Sequence, residues 1–533
     1  MLAEDDARKT KIQLLCGVNG GLPRSRICDL LVIACDPRSL DGICNYTTQE
    51  REIFNKITNF TFHTTLLKVK RKAVTPEHGV VFAPTRLNNM SGSVYGFRNE
   101  TGKAFGMNTS ATPDNKPANE LPFNWVTVYQ LVRAEDTPPD PAEFERMLRT
   151  SLNEGVSWPY GDDYEICESV TTKYFDHFVG KDLVKGENGE GHEPWRYMDI
   201  QGQNGTIYVH ASTCFESVLY CWLYIKMLLD PNNPIVVLPE DKDAAIVILG
   251  AGPSGLLFAN ELRELNYGNV TILEKTDRIG GKTHTIVKEQ PGNNQDTVCE
   301  LGTCYLSPAY DSFVTAMHPY LTGNERIGFG GSEGNFRGIV TNGQFSHLKA
   351  PPLVTYYNYI ILKAADELKC SPNDVKKIQD KIADDLERYC DLHQSSMGSQ
   401  RPMPRNPPQK LFENPCEQTF LEFLRENKLQ SLIGLLQYGY SVQGYGNLST
   451  IPTYYGLLWV TPNVARKIEY SFRHPKHPGG DIVTAWSKGW GDLWTQISAQ
   501  MNIIKNVYVV RIRRGVPWDD MDDQDQNLLI DKE

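Results

Sequence analysis

Gly250-Ala251-Gly252-Pro253-Ser254-Gly255 places three glycines at G-x-G-x-x-G spacing, a pattern suited to a backbone that must wrap a diphosphate. Gly250 would make the tight turn, Gly252 would let the chain approach the phosphates, and Gly255 would let the next helix pack on the preceding strand. Pro253 and Ser254 fall where that helix begins, so its N-terminal N–H groups would face the anion. Glu274 stands 19 residues after Gly255, where a carboxylate accepts hydrogen bonds from ribose hydroxyls. The chemistry these residues could do is dinucleotide binding.

The flanking segments are the ones such a site needs. Residues 245–249 form a continuous apolar run, as in a strand covered on both faces. Leu256, Leu257, Ala259, Leu262 and Leu265 recur at helical spacing, and residues 270–273 restore strand character. Strand, glycines, helix, strand and terminal acid in this order predict a βαβ unit, a far more specific signal than the glycines alone.

Beyond the acid, Glu274, Lys275, Arg278, Gly280, Gly281 and Lys282 belong to an ExxxRxGGK pattern. Its two cations and paired glycines suit a ligand that carries two phosphates. This extension resembles that of the glutathione-reductase-like FAD superfamily, especially its flavin amine oxidase branch. The resemblance implies FAD as cofactor and places the segment holding Gly302 and Thr303 beside the flavin ring. The implied fold is α/β and two-lobed, a Rossmann-type FAD-binding domain with a mixed α+β substrate domain.

In that family the glycine fingerprint is N-terminal, whereas here almost half the chain precedes it. Residues 204–212, NGTIYVHAS, resemble the strand before the family's last flavin-binding helix, with Ser212 standing where the family has an acid. Residues 507–514, VYVVRIRR, resemble the strand whose valine backbone meets the adenine, which marks Val509. The pieces that come next in the family stand early in this chain: KIQLL at 11–15, CDLLVIACDP at 28–37 and YTTQEREIFNKI at 46–57. The order implies a circular permutation. The FAD-binding domain would comprise 1–45, 195–345 and 478–533, and the substrate domain 46–194 and 346–477. The loose ends would be the first ten residues and the acidic stretch 519–525, a type of site that tolerates new termini. The alternative is an unrelated N-terminal domain fused to a truncated oxidase, and a segment 28–34 lying outside the nucleotide lobe would exclude the permutation.

Residues 435–460 combine Tyr438, Tyr440, Tyr445, Tyr454, Tyr455 and Trp459 with glycines. An aromatic stripe is ordinarily core. This one, with residues 484–494, resembles the corresponding run of bacterial polyunsaturated fatty acid double-bond isomerases in the same branch. The implied reaction is redox-neutral: flavin N5 takes a hydride from a bis-allylic methylene and returns it at another carbon, leaving conjugated double bonds. The protein then holds an apolar tail and one carboxylate away from water. Tyr438, Tyr440 and Tyr445 are the expected substrate-facing residues, with Arg337 or Tyr440 on the carboxylate. Two departures from the family pattern weigh on the other readings. Ser212 in place of an acid suits a flavin-fold binding protein without catalysis. An oxidase making hydrogen peroxide from an amine or amino acid is the other reading, although residues 195–198, WRYM, lack the GS-containing loop usual in amine oxidases.

Scaffold signals are plainer. Val375, Ile378, Ile382, Leu386 and Tyr389 make one helical face, Thr419 is placed to cap a helix, and Pro141 to open another. Residues 394–409, QSSMGSQRPMPRNPPQ, read as a surface loop.

Composition bounds the rest. A chain of 533 residues, 40% hydrophobic and 22% charged, is globular and too long for one core. A net charge of −11 without a basic run gives no footprint for nucleic acid. The apolar run 214–229 is broken by Glu216 and Lys226 and predicts a buried helix rather than a membrane span. The acidic start, MLAEDDARKT, is unlike a secretory signal and points to the cytoplasm. Eight Asn-x-Ser/Thr sequons pull towards a secreted, glycosylated form, chiefly those from Asn89 to Asn108. The twelve cysteines contain no CxxC pair, and His474 and His477 stand without partners that would make a metal site. The expected partner is a small lipid substrate, without metal, and the oligomeric state stays open.

Overall fold

The computed structural model describes residues 11–18, 23–70, 78–84, 86, 90–101, 123–154, 156, 158, 160–184, 192–289, 296–328, 336–341, 345–398, 406–408, 411, 418–475 and 482–516. The first ten residues, 519–525, Asn89, Asn108 and His477 lie outside them. The chain forms two compact units, Met1–Ile57 with Lys185–Lys282 and Gly491–Glu533, and Thr58–Val184 with Thr283–Trp490.

The first unit is built on a five-stranded parallel sheet in the order Asn502–Ile504, Val270–Leu273, Ile246–Leu249, Leu30–Ile33, Thr206–Tyr208. The runs IVIL and LLVI are buried at every residue, as strands covered on both faces require. Leu30 pairs with Ile246 and Val32 with Ile248, so segment 28–34 contributes a strand to the nucleotide sheet. Beside it, Lys11–Val18 lies between Val507–Val516 and Arg24–Cys28 in an antiparallel sheet.

One ionic cluster ties distant parts of this unit together. Thr47 caps the helix Thr48–Phe54 through a capping box with Glu50. The Glu50 carboxylate also accepts from Arg514 Nη1 at 2.6 Å, from Arg514 Nη2 at 2.7 Å and from the Tyr208 hydroxyl at 2.5 Å. Both charged side chains are buried.

The second unit carries a seven-stranded sheet in the order Leu353–Thr355, Phe336–Val340, His78–Phe82, Val94–Asn99, Phe123–Val132, Thr58–Lys70, Tyr164–His177. Its neighbours are antiparallel apart from Phe336–Val340 against His78–Phe82. Pro141 opens the helix Pro141–Glu154, and Thr419 caps Phe420–Glu426 with Glu422 completing a capping box. The helix Val375–Met397 buries Ile378, Ile382, Leu386 and Tyr389 but leaves Val375 40% exposed. It also runs into the expected loop at 394–409, where Met397 is an apolar anchor about two turns beyond Tyr389; residues 399–405 and 409 lie outside the described residues.

Residues 283–345, expected with the nucleotide domain, fall in the second unit. Thr285–Lys288 pairs with Thr297–Glu300, and the Leu301 carbonyl accepts from the Thr64 hydroxyl of the large sheet at 2.8 Å. Residues 484–486 join the same unit by pairing with Arg326–Gly328.

Candidate functional site

In the first unit the glycine loops form a cradle. Gly250 has φ +103°, a conformation that side chains rarely adopt. A Cβ on Gly255 would lie 2.0 Å from the Gly250 carbonyl oxygen, so helix and turn meet backbone to backbone. Gly281, at φ +53°, comes so near Gly252 that its Cβ would lie 2.9 Å from the Gly252 Cα. The Gly280 N–H donates to the Ala251 carbonyl at 2.8 Å and locks the second loop onto the first. Helix Pro253–Glu264 has Gly252 as its cap, with no side-chain hydrogen bond, and proline in its first turn. A bound phosphate would supply the acceptor that such a cap lacks.

The acid and the cations take defined places. Glu274 Oε2 accepts from the Ala251 N–H at 2.8 Å, and Oε1 accepts from the Thr276 N–H and hydroxyl at 2.8 Å each. A carboxylate has about four acceptor positions, so about one remains for a sugar hydroxyl. Arg278 donates to the Gly281 carbonyl at 2.7 Å, bracing the glycine pair from behind. Lys282 reaches both oxygens of Glu216 at 2.9 Å, and Lys275 is exposed. Ser254 is buried, and Val509 is half-buried opposite Cys16. Ser212, the expected substitute for a flavin acid, is 2% exposed and holds Tyr197 Oη at 2.9 Å and His210 Nδ1 at 3.1 Å. Its hydroxyl organises its own turn. The donor set and backbone geometry fit a dinucleotide.

In the second unit a cavity of about 270 Å³ opens among helices. Ile360, Leu436, Val464, Ile468 and Phe472 supply aliphatic and aromatic wall, Tyr305, Tyr356, Tyr438 and Trp459 add aromatic rings, and Ser307, Gln443 and Ser471 are among its polar members. Among the described residues the wall carries no charged side chain. Tyr438 stacks on Tyr356 with ring centroids 4.0 Å apart. The other sequence candidates sit elsewhere. Tyr440 is fully buried with its hydroxyl on the Gly456 carbonyl, and Tyr445 stacks on Tyr174 at 5.7 Å. Arg337 lies in the strand opposite Val80, its side chain outside the described residues. The sequence reading missed Val464, Ile468 and Phe472, whose i, i+4, i+8 spacing is the signal that could have marked them as one helical face, and nothing in sequence singled out Tyr305.

Gly302 and Thr303, half-buried in the second unit, follow Glu300. Glu300 Oε1 accepts from the Trp490 N–H at 2.8 Å and Oε2 from the Thr285 hydroxyl at 2.7 Å. Burial pushes its carboxyl up to about 7 from 4.5. The folded state therefore keeps a proton that the unfolded chain has released, so this contribution is full below about 4.5 and is lost as pH rises through about 7. Glu300→Gln is expected to flatten the fall of melting temperature across that window; a variant with the wild-type slope would show that Glu300 is not its source. Among the described residues no three His, Cys, Asp or Glu side chains could hold a metal ion, and no helix is long and apolar enough to cross a membrane.

Residues 248–319 match the NAD(P)-binding Rossmann-like domain family. The chain is 27% identical over 237 residues to a polyenoic fatty acid isomerase of Ptilota filicina, a match covering 43% of this chain and 43% of that protein. It thus spans less than half the length of this relative. Solved structures with detectable likeness include a CLA-producing fatty acid isomerase from P. acnes, 18% identical with TM-score 0.30 over 54% of this chain and 64% of that one. A putrescine oxidase solved with putrescine is 17% identical, with TM-score 0.31 over 49% and 50%.

Proposed function

We propose that this chain, a member of the flavin amine oxidase superfamily with FAD on its Rossmann-type unit, is an isomerase that moves double bonds of a polyunsaturated fatty acyl chain into conjugation. The observation that carries the reading is the cavity, an uncharged and largely apolar chamber lined by Leu436, Val464, Ile468 and Phe472. An acyl chain gains by leaving water for such a wall, at about 25 cal/mol per Å² of apolar surface. The relation to a polyenoic fatty acid isomerase supports the same class of substrate.

The residues of the chain have limited tasks in this reading. Gly250, Gly252 and Gly255 admit the diphosphate to the backbone, Glu274 orders the sugar, and Arg278 holds Gly281 in place. When bound, FAD supplies the hydride acceptor and donor. The cavity residues hold the chain straight and exclude water, so that the reacting methylene stays in one position. The proposal includes a circularly permuted order of segments. It is supported by Leu30–Ile33 lying between Ile246–Leu249 and Thr206–Tyr208 in one parallel sheet, although the three are far apart along the chain.

The test is an absorbance spectrum of the purified chain before and during anaerobic incubation with a polyunsaturated fatty acid. A flavin spectrum with a growing conjugated-diene or triene band and no lasting bleaching is the expected result. Persistent bleaching would mean net oxidation, and no flavin band after supply of FAD would mean a binding protein.

A further inference from the structure

Behind one wall of the cavity lies a polar cluster that double-bond migration does not use. Arg98 is 1% exposed, on the strand Val94–Asn99. Its Nη2 donates to Glu100 Oε1 at 2.6 Å and to the Glu300 carbonyl at 2.7 Å, and its Nη1 donates to the Tyr305 hydroxyl at 3.2 Å. The guanidinium carbon lies 5.5 Å from the Tyr305 ring centroid and 5.7 Å from that of Tyr129. Tyr305 lines the cavity and packs on the apolar cluster that contains Tyr95 and Tyr129. Tyr95 and Tyr129 are 1% and 5% exposed, and among the described residues their hydroxyls have no hydrogen-bond partner. Buried hydroxyls are ordinarily satisfied, and these two belong to the cluster on which Tyr305 packs, with the Tyr129 ring facing the Arg98 guanidinium.

Charge decides what kind of ligand atom Tyr305 can take. The single positive charge of Arg98 is already offset by Glu100, which is buried and bonded to it. A ligand carboxylate would bring a second negative charge to one cation away from water, and an uncompensated buried charge costs several kcal/mol. A neutral oxygen needs only a hydrogen bond. A phenol whose oxygen accepts from a guanidinium is polarised into a stronger donor through its own proton.

Building on the proposed acyl-chain function, we propose that Tyr305 is the polar contact for an uncharged oxygen, a hydroxyl or carbonyl, on an otherwise apolar chain, with Arg98 as the positioning residue behind it. The preferred ligands are then oxygenated lipids, and a free carboxylate is held elsewhere or left in water.

The test uses the full chain with the fluorescent hydrocarbon diphenylhexatriene in the cavity, displaced by a hydrocarbon, a long-chain alcohol and an ionised fatty acid of equal chain length. The alcohol is expected to compete about tenfold better than the hydrocarbon, the effect of one buried hydrogen bond, and better than the acid. Tyr305→Phe should erase the alcohol's advantage while the hydrocarbon competes as before, which also shows that the cavity is intact. Arg98→Lys should keep part of that advantage. An acid that outcompetes the alcohol would overturn the neutral-oxygen assignment, and an undiminished advantage in Tyr305→Phe would overturn the role of Tyr305. Failure of dye and all three chains to bind would remove the acyl-chain reading itself and this inference with it.

Discussion

Arg514→Met is expected to destabilise the chain by about 3–5 kcal/mol, the range for removing one partner of a buried ion pair. The cause is the carboxylate left behind. Glu50 is 0% exposed and has Arg514 on both oxygens, with Tyr208 as its remaining side-chain donor. Burial alone would raise its pKa, but the hydrogen bonds from Arg514 and Tyr208 outweigh it and hold the carboxyl below its ordinary 4.5. The sign follows: the folded state favours the charged form, so the stabilisation is present above about 4.5 and is lost as pH falls through the lowered value. In Arg514→Met only the Tyr208 hydroxyl and the Thr47 N–H still oppose that burial, so the loss of stability on the acid side of the profile should shrink. Urea denaturation at neutral and acidic pH reads both effects. The double variant with Glu50→Gln should cost less than Arg514→Met alone, because the stranded charge is gone. A single-variant loss under about 0.5 kcal/mol would mean that the pair does not join the strand Val507–Val516 to the helix Thr48–Phe54.

That clasp also shows where a sequence stops being readable. Thr47 and Glu50 announce a capping box by their spacing, yet the partner of Glu50 is 464 residues away, beyond any local pattern. The nucleotide cradle was legible because every part of it is local: two apolar strands, one helix and glycines whose spacing is the turn itself. The cavity was not, because Tyr305, Tyr356, Leu436, Val464 and Val483 reach it from separate segments. Helix geometry explains the division among the tyrosines. Tyr438 and Tyr440 share the helix Ile433–Val442, and residues two apart point about 200° away from each other. Tyr438 therefore lines the cavity, while Tyr440 turns into the core beside Phe420, 5.6 Å from ring to ring. Composition could not tell them apart, and the backbone rotation does.

Gly255→Ala is the substitution expected to weaken FAD binding most. The new methyl would start 2.0 Å from the Gly250 carbonyl oxygen and 3.3 Å from the Ala34 Cβ. The first contact is backbone, so no rotamer relieves it; either the helix Pro253–Glu264 moves off the sheet or the turn at Gly250 opens. Both displace the helix N-terminal N–H groups that would face a bound diphosphate, and the Ala251 N–H that holds Glu274. Overpacking of this kind costs about 1–3 kcal/mol, and if it falls wholly on the bound state the Kd for FAD rises roughly five- to 150-fold. Flavin absorbance after purification and quenching of flavin fluorescence on titration measure this without any assay of turnover. Gly268→Ala is the control, since its Cβ would meet no atom nearer than Asp243 Oδ1 at 3.9 Å. Equal flavin retention by the two variants would show that the close contact of Gly255 with Gly250 is not what admits the cofactor. Loss in Gly255→Ala alone, with its melting curve unchanged in the absence of FAD, would assign the contact to binding rather than to folding.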